Sequence, residues 1–154
     1  MIQIEKILHP TDFSENSKHA LKYACAFARH FGAELHLVHV IADLALVTLP
    51  PVDGYLPEGY YEDARKRAEQ ALAELPGEEL TGNTPVVKKT LEGAAFPEIV
   101  QYAQENNIDL IVMGTHGYSG LSHIVMGSIA EKVVRKSPCP VLTVHPEGHE
   151  FVMP

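Results

Sequence analysis

Short apolar runs alternate along this chain with longer stretches in which apolar residues recur every three or four positions. The short runs have the composition of strands that are buried on both faces, and they lie at 4–8, 35–40, 85–91, 108–113 and 138–144. The longer stretches have the spacing of helices with one buried face. We therefore expect helices after the first run, over 61–75, after Pro97 and after Ser128.

Strands that alternate with helices favour an α/β fold, in which an open parallel sheet carries helices on both faces. The expected turn and cap residues agree with this division. Asp12 or Ser14 can cap the first helix, and Gly32 can end it. We predict one domain over residues 1–146, followed by a weakly structured tail over 147–154.

The stretch from residue 41 to residue 60 fits neither pattern. It holds three prolines and two glycines together with several apolar side chains. It is too rich in proline for a continuous helix and too apolar for a bare linker. Long loops inside compact domains are often functional, so we interpret this stretch as a flap or a dimer-contact segment.

The most distinctive stretch follows the fourth apolar run and leads into the last helix. Gly114 ends the run, Gly117 comes three residues later, and Gly127-Ser128 precedes the helix. Glycines let a backbone approach a ligand closely, and the free N–H groups of a helix N-terminus attract anions. The arrangement predicts a phosphate site. The alternative is ordinary turn chemistry, with Ser128 capping the helix in a capping box with Glu131 and with Ile129, Val133 and Val134 on the buried face.

Two familiar phosphate loops do not fit this stretch. A Walker A loop ends in Gly-Lys-Ser/Thr, and no lysine lies between Gly114 and Ser128. A dinucleotide fingerprint places Gly-x-Gly-x-x-Gly directly after the first strand, which this chain does not do. What remains is the spacing Gly-x2-Gly-x9-Gly-Ser.

That spacing resembles the ATP-binding class of the universal stress protein (UspA) family, and the likeness extends over nearly the whole chain. It is also carried by residues 6–14 (KILHPTDFS), 32–35 (GAEL), 93–97, 109–117 (DLIVMGTHG) and 139–142 (CPVL). The resemblance implies a Rossmann-like, adenine nucleotide alpha hydrolase-like sheet of five strands in the order 3-2-1-4-5. Strands one and four are then neighbours, and the loops that leave them meet where the strand order reverses, which is where such sheets bind ligands.

The resemblance implies an adenine nucleotide as the ligand, whether ATP, ADP or AMP. Helix-terminal N–H groups would hold its phosphates, and Asp12 would accept from the ribose or hold a phosphate-bound Mg²⁺. By position, the family's adenine contacts correspond to Val40 and Met113. The expected nucleotide-binding residues are Pro10, Thr11, Asp12, Val40, Met113, Gly114, His116, Gly117, Gly127, Ser128 and Ile129.

The expected role is that of a stress-response sensor or regulator and not of an enzyme. Phosphoryl transfer needs metal ligands, a charge clamp and a positioned base, and Asp12 is the only well-placed acid. Tyr118 also stands where many relatives carry a basic residue near the phosphates. The alternatives are a slow ATPase or autophosphorylating protein, and a nucleotide-free interaction module. In this family homodimers form through the fifth strand, here Val141, Leu142, Thr143 and Val144.

Composition limits the remaining possibilities. The net charge of −8 argues against nucleic acid and anionic membranes as partners. Two cysteines make no disulfide framework, and Cys25 and Cys139 are expected to be inert buried thiols. We expect a cytoplasmic protein, because the first residues run straight into a strand without a signal peptide. Structural zinc is not favoured, since His36 and His39 point to opposite faces of a strand.

Overall fold

The computed structural model describes residues 1–42, 59–77, 81–116, 126–146 and 148. Within them strands and helices alternate, as the apolar pattern predicts. The strands are β1 (Lys6–Pro10), β2 (Glu34–Ala42), β3 (Val86–Gly93), β4 (Leu110–Gly114) and β5 (Val141–Val144). The helices are α1 (Glu15–Phe31), α2 (Tyr60–Ala73), α3 (Ala95–Glu105) and α4 (Ser128–Lys136).

All five strands are parallel, and their order is β3-β2-β1-β4-β5, as the resemblance implies. Strand β1 lies at the centre of the sheet, and its residues Ile7 and Leu8 are fully buried. Pro10 is the last residue of β1 and lies opposite Val38. The next amide, that of Thr11, still donates to the Val38 carbonyl at 2.8 Å, so the proline costs the sheet only one donor.

Helices cover both faces of the sheet, which confirms the doubly wound architecture. On one face, Ile7 packs in a single buried cluster with side chains of α1 and with Leu72 of α2. On the other face, Leu8 packs with Ile99 of α3 and Val133 of α4. Successive residues of β1 thus feed opposite layers, as the pleat requires.

The ends of α1 carry the cap residues that the sequence indicates. Ser14 is the N-cap, and its hydroxyl accepts from the Ser17 amide at 3.2 Å. Asp12, the alternative cap, instead accepts from the Ser14 amide at 3.0 Å. Gly32 ends the helix with a φ of 66°, a left-handed conformation that glycine adopts without strain.

The predicted capping box at the start of α4 is wrong. Gly127 is the N-cap residue, and Ser128 is the first residue of the helix, so its hydroxyl makes no cap bond. The amide of Glu131 donates to the Gly127 carbonyl at 3.0 Å, which closes the first helical turn. A capping box requires the serine one position earlier than it lies.

The buried face of α4 also differs from the prediction. Ile129 and Val134, expected to face inward, are 44% and 46% exposed. The buried side chains are Ala130 and Val133, three residues apart, which is the spacing of one helical face. Ala130 also lines the crevice described below.

Three further predictions concern single side chains. Cys25 is buried as predicted, whereas Cys139 is only half-buried. Burial raises the pKa of the Cys25 thiol to about 11 and also raises the pKa of Cys139, so neither forms a reactive thiolate near neutral pH. His36 and His39 turn to opposite faces: the first bonds to the Tyr102 hydroxyl on α3, and the second bonds to the Thr11 carbonyl.

Parts of the predicted flap or dimer-contact segment, of the glycine-containing stretch after β4 and of the tail lie outside the described residues. In the stretch 41–60, residues 41 and 42 belong to β2 and Tyr60 begins α2, whereas the predicted flap at 43–58 lies outside them. The same holds for Gly117, for Tyr118 and for most of the predicted tail. Over the ranges that are described, no helix is long and apolar enough to cross a bilayer.

Candidate functional site

A crevice opens at the carboxyl edge of the sheet, where β1 and β4 lie side by side and the strand order reverses. Its volume of about 410 Å³ lies in the range of small-molecule sites. Of the expected nucleotide-binding residues, the crevice is lined by Pro10, Thr11, Asp12, Val40, Met113, Gly114, His116, Gly127, Ser128 and Ile129. Gly117 lies outside the described residues. The fold therefore brings the expected set together, and the binding role of each residue stays a prediction.

Other lining residues were not expected from the sequence. They are Ser17, Val38, His39, Ala42, Ala95, Ile99, Thr115 and Ala130. Ala42 and Thr115 lie at or just after the carboxyl ends of strands, which is a signal that sequence reasoning could have used. Ala95 and Ile99 come from the start of α3, and only the packing of α3 against β2 places them here.

The β1–α1 loop forms one wall of the crevice, and its own side chains hold it in place. The Thr11 hydroxyl accepts from the Phe13 amide at 3.1 Å, and the Asp12 carboxylate accepts from the Ser14 amide at 3.0 Å. These bonds are turns of the Asx and Ser/Thr type. They use the amides of Phe13 and Ser14, so these two backbone donors are not available to a ligand.

Phe13 and His39 lock the same loop against β2. Phe13 has a φ of 63°, which is uncommon for a residue with a bulky side chain. Its ring lies against the His39 ring with 4.5 Å between centroids, and the His39 Nδ1–H donates to the Thr11 carbonyl at 2.8 Å. The packing and the hydrogen bond together offset the backbone strain.

Beneath this loop lies a fully buried histidine, His9, which was not expected from the sequence to lie beside the crevice. The Nδ1–H of His9 donates to the Val112 carbonyl at 2.8 Å, and its Nε2 lies 3.4 Å from the Ser17 hydroxyl. Burial lowers the pKa of His9 to about 4, so the ring is neutral near pH 7. A histidine inside an apolar run is the signal that could have identified it.

The opposite wall ties the end of β4 to the start of α4. The Thr115 amide donates to the Val144 carbonyl at 2.9 Å, and the Gly127 amide donates to the Thr115 carbonyl at 2.7 Å. Ser128 and Ile129, the first residues of α4, line the crevice, and the N–H groups of a first helical turn are not used within the helix. α1 begins with a side-chain cap, whereas α4 begins at Gly127 without one.

Two glycines of this wall serve different purposes. A Cβ at Gly114 would lie 3.3 Å from the Asn16 carbonyl oxygen, so glycine here permits the close approach of α1. Gly127 has φ −57° and ψ 145°, which any residue adopts. Its lack of a side chain is therefore not required by the backbone, and Gly127 itself lines the crevice.

The charges at the crevice are few. Among the described lining residues, Asp12 is the only carboxylate, and no lysine or arginine is present. Two imidazoles line it, those of His39 and His116. The His116 Nδ1 bonds to the Thr115 hydroxyl at 2.9 Å, while its buried Nε2 has no partner in the part of the chain that the structure describes. An anion here would be held by helix-terminal N–H groups and imidazole nitrogens.

The crevice thus has an apolar end and a polar end. Val38 and Val40 of β2 and Ile99 of α3, which pack in one apolar cluster, line the apolar end. Ser128 and the N-terminus of α4 form the polar end. Such a site suits an elongated ligand with a flat ring and an anionic group. Within the described ranges, no group of three or more His, Cys, Asp or Glu side chains could hold a metal ion.

Comparisons with known proteins agree with this geometry. A model of the universal stress protein family matches residues 3–145. A universal stress protein of Methanocaldococcus jannaschii is 36% identical over 140 residues, which cover 91% of this chain and 81% of that protein. A solved structure of a second protein of that organism has a TM-score of 0.75 at 34% identity and covers 96% of this chain and 100% of its own. A universal stress protein in complex with cAMP has a TM-score of 0.60 at 26% identity, covering 95% and 100%.

Proposed function

This chain belongs to the universal stress protein family, and we propose that it binds an adenine nucleotide in the crevice between β1 and β4 and acts as a stress-response sensor or regulator. One observation carries the proposal: the residues expected from the family resemblance, as far as they are described, line a single crevice of about 410 Å³ at the switch point of the sheet. A relative that was solved with cAMP supports an adenine nucleotide as the ligand class.

The proposed orientation follows from the two ends of the crevice. The base lies between the β2 side chains Val38 and Val40 and the α3 side chain Ile99, where apolar surface suits a flat ring. The phosphates lie at the N-terminus of α4, where the N–H groups of Ser128 and Ile129 are not used by the helix. The ligand spans the gap between β1 and β4.

Asp12 is the proposed contact for the ribose or for Mg²⁺. Its Oδ1 accepts from the Ser14 amide, and a carboxylate has a second oxygen that can accept from a hydroxyl or ligate a hard cation. Mg²⁺ would then arrive with the nucleotide phosphates and would not need a protein site of its own.

We further propose that the protein is not an enzyme and that any ATP hydrolysis is slow. The described lining residues contain one carboxylate and no lysine or arginine, whereas efficient phosphoryl transfer uses metal ligands, a charge clamp and a positioned base. The alternatives are a slow ATPase or autophosphorylating protein and a nucleotide-free interaction module, and the test below separates a nucleotide-binding protein from the last of these.

The test compares the wild type with Gly127→Val. Because Gly127 has an ordinary backbone conformation, valine should be accommodated in the fold while its side chain blocks the N-terminus of α4. Ala73→Val, on the exposed side of α2, is the matched control for an added apolar side chain. Each purified protein is heat-denatured and any released nucleotide is identified by chromatography, and the three are then titrated by calorimetry with ATP, ADP, AMP and cAMP in the presence of Mg²⁺.

We expect the wild type and Ala73→Val to release or bind an adenine nucleotide, and Gly127→Val to lose at least tenfold in affinity while unfolding at a similar temperature. The nucleotide that binds most tightly will show how many phosphates the site holds. A wild type that is empty and also fails to bind any of the four at millimolar concentration would refute the proposal and favour the interaction module. Release of inorganic phosphate at multiple turnovers per minute would instead show an ATPase.

A further inference from the structure

Three buried side chains connect the core of the sheet to the crevice, and we call them the buried relay: His9, Ser17 and Thr11. They are 0%, 5% and 6% exposed. The His9 Nε2 lies 3.4 Å from the Ser17 hydroxyl oxygen, and the Ser17 hydroxyl lies 2.9 Å from the Thr11 hydroxyl oxygen. Ser17 and Thr11 both line the crevice. The relay therefore ends at the ligand site.

The inner end of the relay has a defined protonation state. The Val112 carbonyl can only accept a hydrogen bond, so the His9 Nδ1, at 2.8 Å from it, must carry the proton. The ring is neutral near pH 7, because burial lowers the pKa of His9 to about 4. A neutral ring with its proton on Nδ1 presents a lone pair at Nε2. Ser17 therefore faces an acceptor on the His9 side.

The single proton of the Ser17 hydroxyl has two acceptors within reach. When Ser17 donates to Thr11, at 2.9 Å, the Thr11 hydroxyl already accepts from Ser17 and from the Phe13 amide. Its own proton is then available to an acceptor in the crevice, which Thr11 lines. When Ser17 donates to the His9 Nε2, Thr11 can donate to Ser17, and the Thr11 oxygen then presents a lone pair to the crevice. Hydroxyl rotation alone converts one arrangement into the other.

Thr11 stands at the apolar end of the crevice. Its amide donates to the Val38 carbonyl at 2.8 Å, and its carbonyl accepts from the His39 ring at 2.8 Å, so β2 holds it on both sides. Val38 and Val40 of the same strand line the crevice with it. This is the end at which the proposed function places the base.

We propose that the buried relay makes the Thr11 hydroxyl a reversible contact for the polar edge of the base, donating in one arrangement and accepting in the other, with His9 as the positioning residue that permits the second arrangement. The inference rests on the proposed function of the crevice. It predicts that the site does not discriminate strongly between purines whose polar edges have opposite hydrogen-bonding character.

Adenine and hypoxanthine provide that comparison. Adenine presents an amino donor and a ring-nitrogen acceptor where hypoxanthine presents a carbonyl acceptor and a ring N–H donor. The wild type should therefore bind ATP and inosine triphosphate with affinities within about tenfold of each other. His9→Asn keeps an amide donor for the Val112 carbonyl and removes the Nε2 acceptor. It should widen the ratio of the two affinities by about fivefold, the effect of one ordinary hydrogen bond.

The direct test is nuclear magnetic resonance of protein labelled with ¹⁵N in histidine, with His9 assigned by its absence in His9→Asn. We expect the Nδ1–H tautomer throughout and a His9 Nε2 shift that differs between the ATP and inosine triphosphate complexes. In Ser17→Ala the Nε2 shift should be the same in both complexes, because no hydroxyl remains to redirect. If His9→Asn does not fold, Ser17→Ala still provides this comparison and the affinity ratio.

Two outcomes would refute the buried relay alone, and a third would refute the proposed function as well. Equal Nε2 shifts in the two wild-type complexes, with binding evident from calorimetry, would overturn the relay and leave the proposed function intact. A difference that persists in Ser17→Ala would also overturn it, because the signal would then not pass through Ser17. Failure of the wild type to bind either nucleotide would overturn the proposed function and the relay with it.

Discussion

The neutral, fully buried imidazole of His9 should make the stability of the fold depend on pH. Desolvation lowers the pKa of His9 from its ordinary value of 6.5 to about 4, and the hydrogen bond to the Val112 carbonyl offsets only part of that effect. In the unfolded chain the ring regains its ordinary pKa. Between pH 6.5 and pH 4 the unfolded state therefore binds a proton that the folded state does not, and stability falls as the pH falls.

The size of this effect follows from the difference between the two pKa values. A tenfold difference in proton affinity corresponds to about 1.4 kcal/mol. Lowering the pH from 8 to 5 should thus reduce the free energy of unfolding by about 2 kcal/mol through His9 alone, and by about 3 kcal/mol at pH 4. Against a typical total of roughly 5–15 kcal/mol, this loss is readily measured. Above pH 6.5 the effect of His9 fades as the pH rises, because the ring becomes neutral in the unfolded state as well.

Urea unfolding of the wild type and of His9→Asn at pH 8, 7, 6 and 5 isolates the effect. Asparagine does not titrate and can still donate to the Val112 carbonyl, and the other titrating groups contribute equally to both proteins. The wild type should lose about 2 kcal/mol more than His9→Asn between pH 8 and pH 5. His30→Asn, which removes an imidazole from the exposed side of α1, should follow the wild-type profile. Parallel profiles for the wild type and His9→Asn would refute the buried, neutral state of the ring.

Three further predictions test the cap, the close approach and the edge strand. Ser14→Ala should lower the free energy of unfolding by about 1 kcal/mol in urea titrations, because the Ser17 amide loses its acceptor. Gly114→Ala should lower the free energy of unfolding by about 1–2 kcal/mol in the same assay, because its Cβ would lie 3.3 Å from the Asn16 carbonyl oxygen. An unchanged free energy of unfolding would show that α1 can move away from this Cβ. The protein should sediment at micromolar concentration as a dimer that pairs through β5. Because the even-numbered carbonyls of β5 face β4, the Thr143 N–H points outward, and Thr143→Pro should sediment as a monomer. A wild type that sediments as a monomer would contradict the dimer.

The type of each element could be predicted from the apolar pattern, and the order of the strands from the family resemblance. The apolar runs identify strands that are buried on both faces, and β1 is indeed packed against helices through Ile7 on one side and Leu8 on the other. Hydrophobicity alone does not state which strands are neighbours. The order 3-2-1-4-5 came from the family resemblance, and without it the meeting of the β1 and β4 loops would have been one topology among several.

The lining of the crevice could be predicted only where the chemistry is local. Most residues in the loops after β1 and β4 carry turn and glycine signals and were identified, although Thr115 was not. Ala95 and Ile99 were not, because they reach the crevice through the packing of α3 against β2, and nothing in their own sequence distinguishes them from core residues. The burial of Ser17 is a similar case, since a serine in the first turn of a helix usually faces water.

The misplaced cap of α4 shows why local pattern and function are difficult to separate at this site. Ser128 followed three residues later by Glu131 satisfies the pattern of a capping box, and the pattern alone cannot tell whether the serine lies just before the helix or is its first residue. In the structure Gly127 has an extended backbone conformation and is the N-cap, so Ser128 is the first helical residue. A hydroxyl that closed the helix would have covered its N-terminus, whereas here that end and the Ser128 side chain both face the crevice. The same departure from the capping pattern thus leaves the anion-attracting groups of α4 open to a phosphate.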